Sequence, residues 1–279
     1  MKLLWAAALM ASSLQAAAVM NDVEFGTSDG VRLTLDASIP DGPGPFPAVI
    51  VVHGGGFVRG DKQTYVKPLF PVLTQAKFAW FSINYRLAPK YPFPAAVEDL
   101  EKAIQFVKGR AKAYKVDPQK IALAGESAGG YLVSYVGAFD KPAYRVAAVV
   151  SFYGPHDLAA RAKQSGGTSG SLRDFWGVTE LNAAGLKTLE EASPILYVHR
   201  TMPPFLLIHG TADAQVPYEQ SPMMCSRMKS IGAACELFTV EGGAHGMGSW
   251  EKLTDGTAYQ QKMVDWLNGV FAAVPAKPK

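Results

Sequence analysis

Three stretches of this 279-residue chain carry residue types suited to nucleophilic chemistry. The first is Gly125-Glu126-Ser127-Ala128-Gly129-Gly130, which follows the apolar run 121–124 and precedes a stretch of helical period. A G-x-S-x-G run between strand and helix predicts a sharp turn that presents the serine hydroxyl, with small residues leaving room for strand and helix to pass closely. The turn also aims free amides at the start of the helix toward charge developing on a substrate. The bare pattern occurs in ordinary turns, so its setting is what singles out Ser127 as the candidate nucleophile.

A serine needs a base, and the base needs an orienting partner. Of five histidines, His53 opens a glycine run, His156 and His199 flank an irregular stretch, and His209 ends an apolar run. His245 lies in Glu241-Gly242-Gly243-Ala244-His245-Gly246, a loop free to swing toward a serine, and the chain order serine, acid, histidine favours it. The acid should then lie between Ser127 and His245, where the aspartates are Asp140, Asp157, Asp174 and Asp213. Asp213 follows the run 205–208 and is the one expected to face His245. Asp157 is the alternative, against its reading as the N-cap of a following helix.

The third stretch is His53-Gly54-Gly55-Gly56-Phe57, just after the apolar run 48–52. Consecutive glycines cost backbone entropy and serve where amides approach a ligand closely, so this run can offer N–H donors to an oxyanion together with the amide of Ala128. No Lys-Ser or Lys-Thr follows and no G-x-G-x-x-G is completed, which argues against a phosphate loop. His53 is accordingly expected to position the loop rather than act as a base.

These stretches must be held by a scaffold. Apolar runs at 31–35, 48–52, 79–83, 121–124, 147–152, 205–208 and 235–240 read as strands, and helical periods cover 95–114, 131–139, 218–230 and 258–271. The alternation predicts an α/β fold with a mostly parallel sheet and helices on both faces. It breaks at 155–203, which is expected to form a lid-like insertion over the carboxyl ends of the strands. At 48% hydrophobic and 18% charged, the length suits one domain. The net charge of +3 is dispersed without a basic run, so nucleic acid is not an expected partner.

In combination, 53–57, Tyr85-Arg86-Leu87-Ala88-Pro89, Tyr91-Pro92-Phe93-Pro94-Ala95-Ala96, 125–130, Asp213 with Val216-Pro217, and 243–246 resemble the α/β-hydrolase family. Within it, the likeness is to esterases related to hormone-sensitive lipase and to the small feruloyl and acetylxylan esterases, and it covers about 23–271. The resemblance implies an eight-stranded sheet, Ser127, Asp213 and His245 as a catalytic triad, Gly54, Gly55 and Ala128 as oxyanion donors, and no cofactor. It further implies a carboxylic ester hydrolase working through an acyl-enzyme on short-chain or aromatic acyl esters, acetyl or feruloyl esters of plant polysaccharide included. An amidase, formamidase or peptidase using the same triad is the alternative. Phe57, Tyr85, Phe175 and Trp176 are candidate substrate-binding aromatics, with packing the competing role.

Met1 and Lys2, the apolar run 3–10 and then Ala16, Ala17 and Ala18 have the order of a secretory signal peptide. Residues 1–18 are therefore expected to be removed on export, to the periplasm or beyond, leaving 19–279 as the hydrolase domain. The apolar run is too short to span a bilayer, so no stable membrane insertion is expected. Cys225 and Cys235 could bridge in an oxidising compartment or stay as buried thiols. No Cys or His cluster has zinc spacing, and no oligomeric contact is legible.

Overall fold

In the computed structural model, which describes residues 18–139, 141–168 and 170–275, the central strand shows why the sheet is covered on both sides. Ala48, Ile50 and Val52 enter one core and Val49 and Val51 the other, all without solvent exposure. A strand apolar at every position has no face to give to water.

The strands are β1 (Val19–Ser28), β2 (Val31–Ser38), β3 (Phe46–Val52), β4 (Ala79–Ile83), β5 (Val116–Glu126), β6 (Ala148–Phe152), β7 (Phe205–Gly210) and β8 (Cys235–Val240). They form one eight-stranded sheet in the order β1-β2-β4-β3-β5-β6-β7-β8. The β1–β2 and β2–β4 pairs are antiparallel, and every later pair is parallel. Among the described residues the α-helices are α1 (Leu69–Gln75), α2 (Ala95–Gly109), α3 (Ala128–Ala138), α4 (Leu158–Ser165), α5 (Gly170–Trp176), α6 (Ala183–Glu191), α7 (Gln220–Ser230), α8 (Met247–Trp250) and α9 (Ala258–Ala273). Leu100, Leu132 and Met224 of α2, α3 and α7 fill the first core, while Leu69, Leu73, Met263 and Leu267 of α1 and α9 fill the second.

The chain departs from β3 to β4 on one side and returns to β5 on the other, which is a topological switch point where ligands settle beyond the strand ends. Its register pairs Val52 with Gly125, so the glycine run after β3 lies beside the serine turn after β5. On the next strands, Gly210 pairs with Val240 and sets the Asp213 and His245 loops side by side.

The region 155–203 contains α4, α5 and α6, and its apolar residues Leu158, Leu172, Phe175, Trp176 and Leu189 are buried. Cys225 of α7 and Cys235 of β8 form a disulfide with Cα atoms 5.4 Å apart. Among the described residues, no helix is long and apolar enough to cross a membrane. The expected signal-peptide core lies outside the described residues.

Candidate active site

Ser127 sits at the junction of β5 and α3 with φ 52° and ψ −114°. A non-glycine residue there is strained, and such strain persists only where the surroundings impose it. Here α3 starts immediately and passes so close to β3 that a Cβ on Gly129 would come within 2.1 Å of the Val52 carbonyl oxygen. The Ser127 amide is tied down by donating to Phe152 O at 2.9 Å.

His245 reaches the serine from the loop after β8. Its Nε2 lies 2.9 Å from Ser127 Oγ and its Nδ1 2.7 Å from Asp213 Oδ2. An ionised carboxylate only accepts, so Nδ1 carries the proton and Nε2 is left to accept from the serine hydroxyl. The other oxygen of Asp213 accepts the amides of Gln215 and Val216 at 2.8 and 2.9 Å, which fixes the carboxylate's rotation. Burial by itself would raise the Asp213 pKa, but hydrogen bonds from His209 and His245 outweigh it and hold the carboxyl well below its usual range. Asp157, the alternative acid, instead caps α4 by accepting Ala160 N–H at 2.8 Å.

The three glycines separate into two roles. Gly54 is buried, and its N–H donates to Glu126 Oε1 at 2.5 Å, so that amide is already engaged. Gly55 and Gly56, both with positive φ (101° and 64°), line the cavity with Ser127 and Ala128. At Gly55 a Cβ would stand 2.1 Å from Arg59 O, so no side chain fits. Ala128 is the first residue of α3, where helical amides lack internal acceptors. Gly55, Gly56 and Ala128 thus flank Ser127 in the cavity wall, whereas the amide of the expected Gly54 is committed to Glu126. His53 stacks on Tyr85 with ring centroids 4.3 Å apart, and its Nδ1 lies 2.7 Å from Gly54 O. Burial lowers its pKa to about 4, leaving it neutral.

Glu126 occupies the variable position of the serine motif, which carries no role in the pattern, although a carboxylate ending a buried strand is itself a signal. It is 3% exposed, and burial raises its pKa to about 7 against the attraction of His245 and hydrogen bonds from Gly54 and Tyr153. The Tyr153 hydroxyl accepts Met247 N–H at 3.1 Å, and the ring meets His245 edge-on at 4.8 Å. Glu126 and Tyr153 therefore link the glycine loop to the histidine loop.

The cavity in front of Ser127 has a volume of about 280 Å³ and includes Phe57, Glu126, Pro155 and Val216 in its wall. Three expected substrate-binding aromatics lie behind it. Tyr85 donates to His53 O at 3.0 Å, underneath the glycine loop. Phe175 and Trp176 are buried, stacked on Phe57 at 4.1 Å and set edge-on to it at 4.9 Å. A larger groove of about 730 Å³, between β1, β2 and α1, holds none of Ser127, Asp213 and His245. No group of His, Cys, Asp and Glu among the described residues could hold a metal ion.

A strained serine, a histidine on its hydroxyl, and a buried aspartate behind the histidine now stand at the ends of β5, β8 and β7. The BD-FAE family model matches residues 35–228. The chain belongs to the BD-FAE family. A relative of this BD-FAE chain, Esterase LipQ of Mycobacterium tuberculosis, is 29% identical over 242 residues, 82% of this chain and 57% of LipQ. Acetylxylan esterase of Xylanibacter ruminicola is 25% identical over 274 residues, 97% of this chain and 55% of that one. The chain spans about half the length of these curated relatives. The crystal structure of an acetyl ester-xyloside bifunctional hydrolase from Caldicellulosiruptor lactoaceticus matches with a TM-score of 0.76 at 25% identity, over 90% of this chain and 96% of that one. A truncated carbohydrate esterase from gut microbiota, TM-score 0.78 at 24% identity over 93% and 99% of the two chains, shares the fold. That fold is the α/β-hydrolase fold.

Proposed function

We propose that this BD-FAE chain is a serine carboxylic ester hydrolase acting through an acyl-enzyme. The observation that carries the reading is the continuous contact from Asp213 Oδ2 to His245 Nδ1 at 2.7 Å and from His245 Nε2 to Ser127 Oγ at 2.9 Å. Ser127 attacks the ester carbonyl while His245 takes the hydroxyl proton, and Asp213 supports the imidazolium that forms. The amides of Gly55, Gly56 and Ala128 receive the oxyanion, where removal of one donor typically costs about 10²- to 10³-fold in kcat. His245 then protonates the departing alcohol, and water repeats the sequence on the acyl-enzyme.

The substrate class proposed is short-chain or aromatic acyl esters, acetyl or feruloyl esters of polysaccharide included. Supporting it are the acetylxylan esterase relative and the bifunctional acetyl ester-xyloside hydrolase. Export is proposed as well, from the leader-like order of residues 1–18, and the Cys225–Cys235 disulfide suits an oxidising compartment.

Incubation with a fluorophosphonate, followed by peptide mass analysis, should place the adduct on Ser127. Ser127→Ala should remove nearly all turnover of a short p-nitrophenyl ester while leaving the fold intact. Wild-type turnover in that variant would sink the assignment. Faster cleavage of a matched anilide or formamide would move the reading to amidase. Methyl ferulate, acetylated xylan and esters of rising chain length then rank the acyl groups.

A further inference from the structure

The cavity in front of Ser127 is walled by two arginines that the ester hydrolysis above does not use. Arg59 follows the glycine loop and is exposed, and Arg161 projects from α4 and is half-buried. Among the described residues, neither lies within ion-pair distance of a carboxylate. Arg161 spends one N–H on Gln215 O at 3.1 Å. The acids nearby are already engaged. Asp213 accepts Gln215 and Val216 amides and faces His245, and Glu126 accepts Gly54 N–H. Burial lowers the Arg161 pKa, and the attraction of Asp213 recovers only part of that loss.

A half-buried guanidinium without an anion is costly unless something brings one, and its planar fork suits a carboxylate edge. We propose that Arg59 and Arg161 form an anion subsite beside Ser127, so that the preferred substrates are esters carrying a free carboxylate. This rests on the esterase reading and adds the charge of the substrate to it. The cavity's modest size suits a carboxylate a few bonds from the scissile carbonyl rather than a long chain. A purely structural Arg161, propping the loop of Gln215, would affect charged and neutral esters alike.

The test is a ratio. Wild-type kcat/KM is measured for 4-acetoxybenzoate against its methyl ester, placing the charge on the alcohol side. The p-nitrophenyl monoester of succinate against its methyl ester places the charge on the acyl side. At low salt, at least one anionic ester should exceed its neutral partner by about tenfold, the worth of one charge-assisted bond. Added NaCl should shrink that preference. It should fall toward one in an Arg59→Gln/Arg161→Gln double variant and be only partly kept in Arg161→Lys, which retains the charge but not the planar fork. Ratios near or below one in the wild type on both arms, or a ratio unchanged in the double variant, would overturn the subsite. If no ester is turned over at all, the esterase reading fails instead. The subsite is then decided by calorimetry: 4-hydroxybenzoate must bind more tightly than its methyl ester, and must lose that advantage in the double variant.

Discussion

The carboxylate of Glu126 accepts the amide of Gly54 at 2.5 Å, so the residue before Ser127 holds the glycine loop that lines the cavity. The bond crosses from β5 to the chain leaving β3, and 72 residues separate its ends. It commits one glycine amide to structure, while the next two residues, Gly55 and Gly56, line the cavity. Glu126→Ala should leave the Gly54 amide without its acceptor and let the loop drift. The expected loss in kcat on a short p-nitrophenyl ester is roughly 10²-fold, the scale of one lost oxyanion donor. Glu126→Gln keeps an oxygen for Gly54 and should stay within about tenfold of the wild type, since a charged-group hydrogen bond exceeds a neutral one by only about 1–1.5 kcal/mol. An unaltered kcat in Glu126→Ala would show that the loop is held by other contacts.

Glu126 also sets a pH dependence of stability. Its pKa rises from 4.5 to about 7 on folding, with burial as the chief cause. A raised folded pKa means that the contribution is complete below about 4.5 and is lost as pH climbs through about 7. The loss is on the order of 3 kcal/mol. His53 and His156, lowered by burial to about 4 and about 3, act in the opposite sense and lose their contribution as pH falls below 6.5. They are present in both proteins, so they cancel in a comparison. The difference in Tm between Glu126→Gln and the wild type should therefore grow in favour of the variant from pH 4.5 to 7.5. A constant difference would place the ionisation elsewhere.

The two candidate acids separate cleanly. Asp213→Asn keeps the shape but presents an amide to His245 and favours the wrong tautomer, so kcat should fall by about 10⁴-fold with little change in KM. Asp157→Asn touches only the N-cap of α4. Its expected effect is a Tm lowered by a degree or two with kcat preserved, since Asn caps nearly as well as Asp. Circular dichroism melts beside steady-state kinetics would show a reversed pattern if Asp157 were the acid.

The sequence makes β2 to β8 legible because their apolar runs alternate with helical periods, and hydrophobic burial drives that pattern. β1 is not read, since an edge strand keeps Asn21, Asp22 and Glu24 in water and carries no such run. Helix α1 is also missed, as Pro71 interrupts a seven-residue segment too short to establish a period. At the site, Ser127, Asp213 and His245 can be singled out because chain order and strand ends restrict the choices. Which glycine amide is free cannot be read, because it depends on where the Glu126 side chain lands after β3 and β5 pair. The Cys225–Cys235 bridge depends in the same way on α7 packing beside β8.

Phe175 and Trp176 invite a role in choosing the substrate, but their contacts assign them to the support of Phe57. Phe175 has no exposure, lies flat against Phe57 at 4.1 Å, meets Phe93 edge-on at 5.9 Å, and accepts Phe93 N–H at its carbonyl. Trp176 closes the cluster by meeting Tyr131 at 5.2 Å. Of these rings, Phe57 is the one in the cavity wall. Phe175→Ala should leave a void and cost about 3–5 kcal/mol, enough to lower Tm by roughly 10 °C. Any fall in kcat/KM should be shared equally by acetate, butyrate and bulky aromatic esters, because Phe57 loosens without the pocket gaining a new wall. Phe57→Ala should instead favour the bulkier esters over acetate, since it removes the wall itself. A Phe175→Ala protein with an unchanged Tm and an altered chain-length preference would return that ring to the substrate pocket.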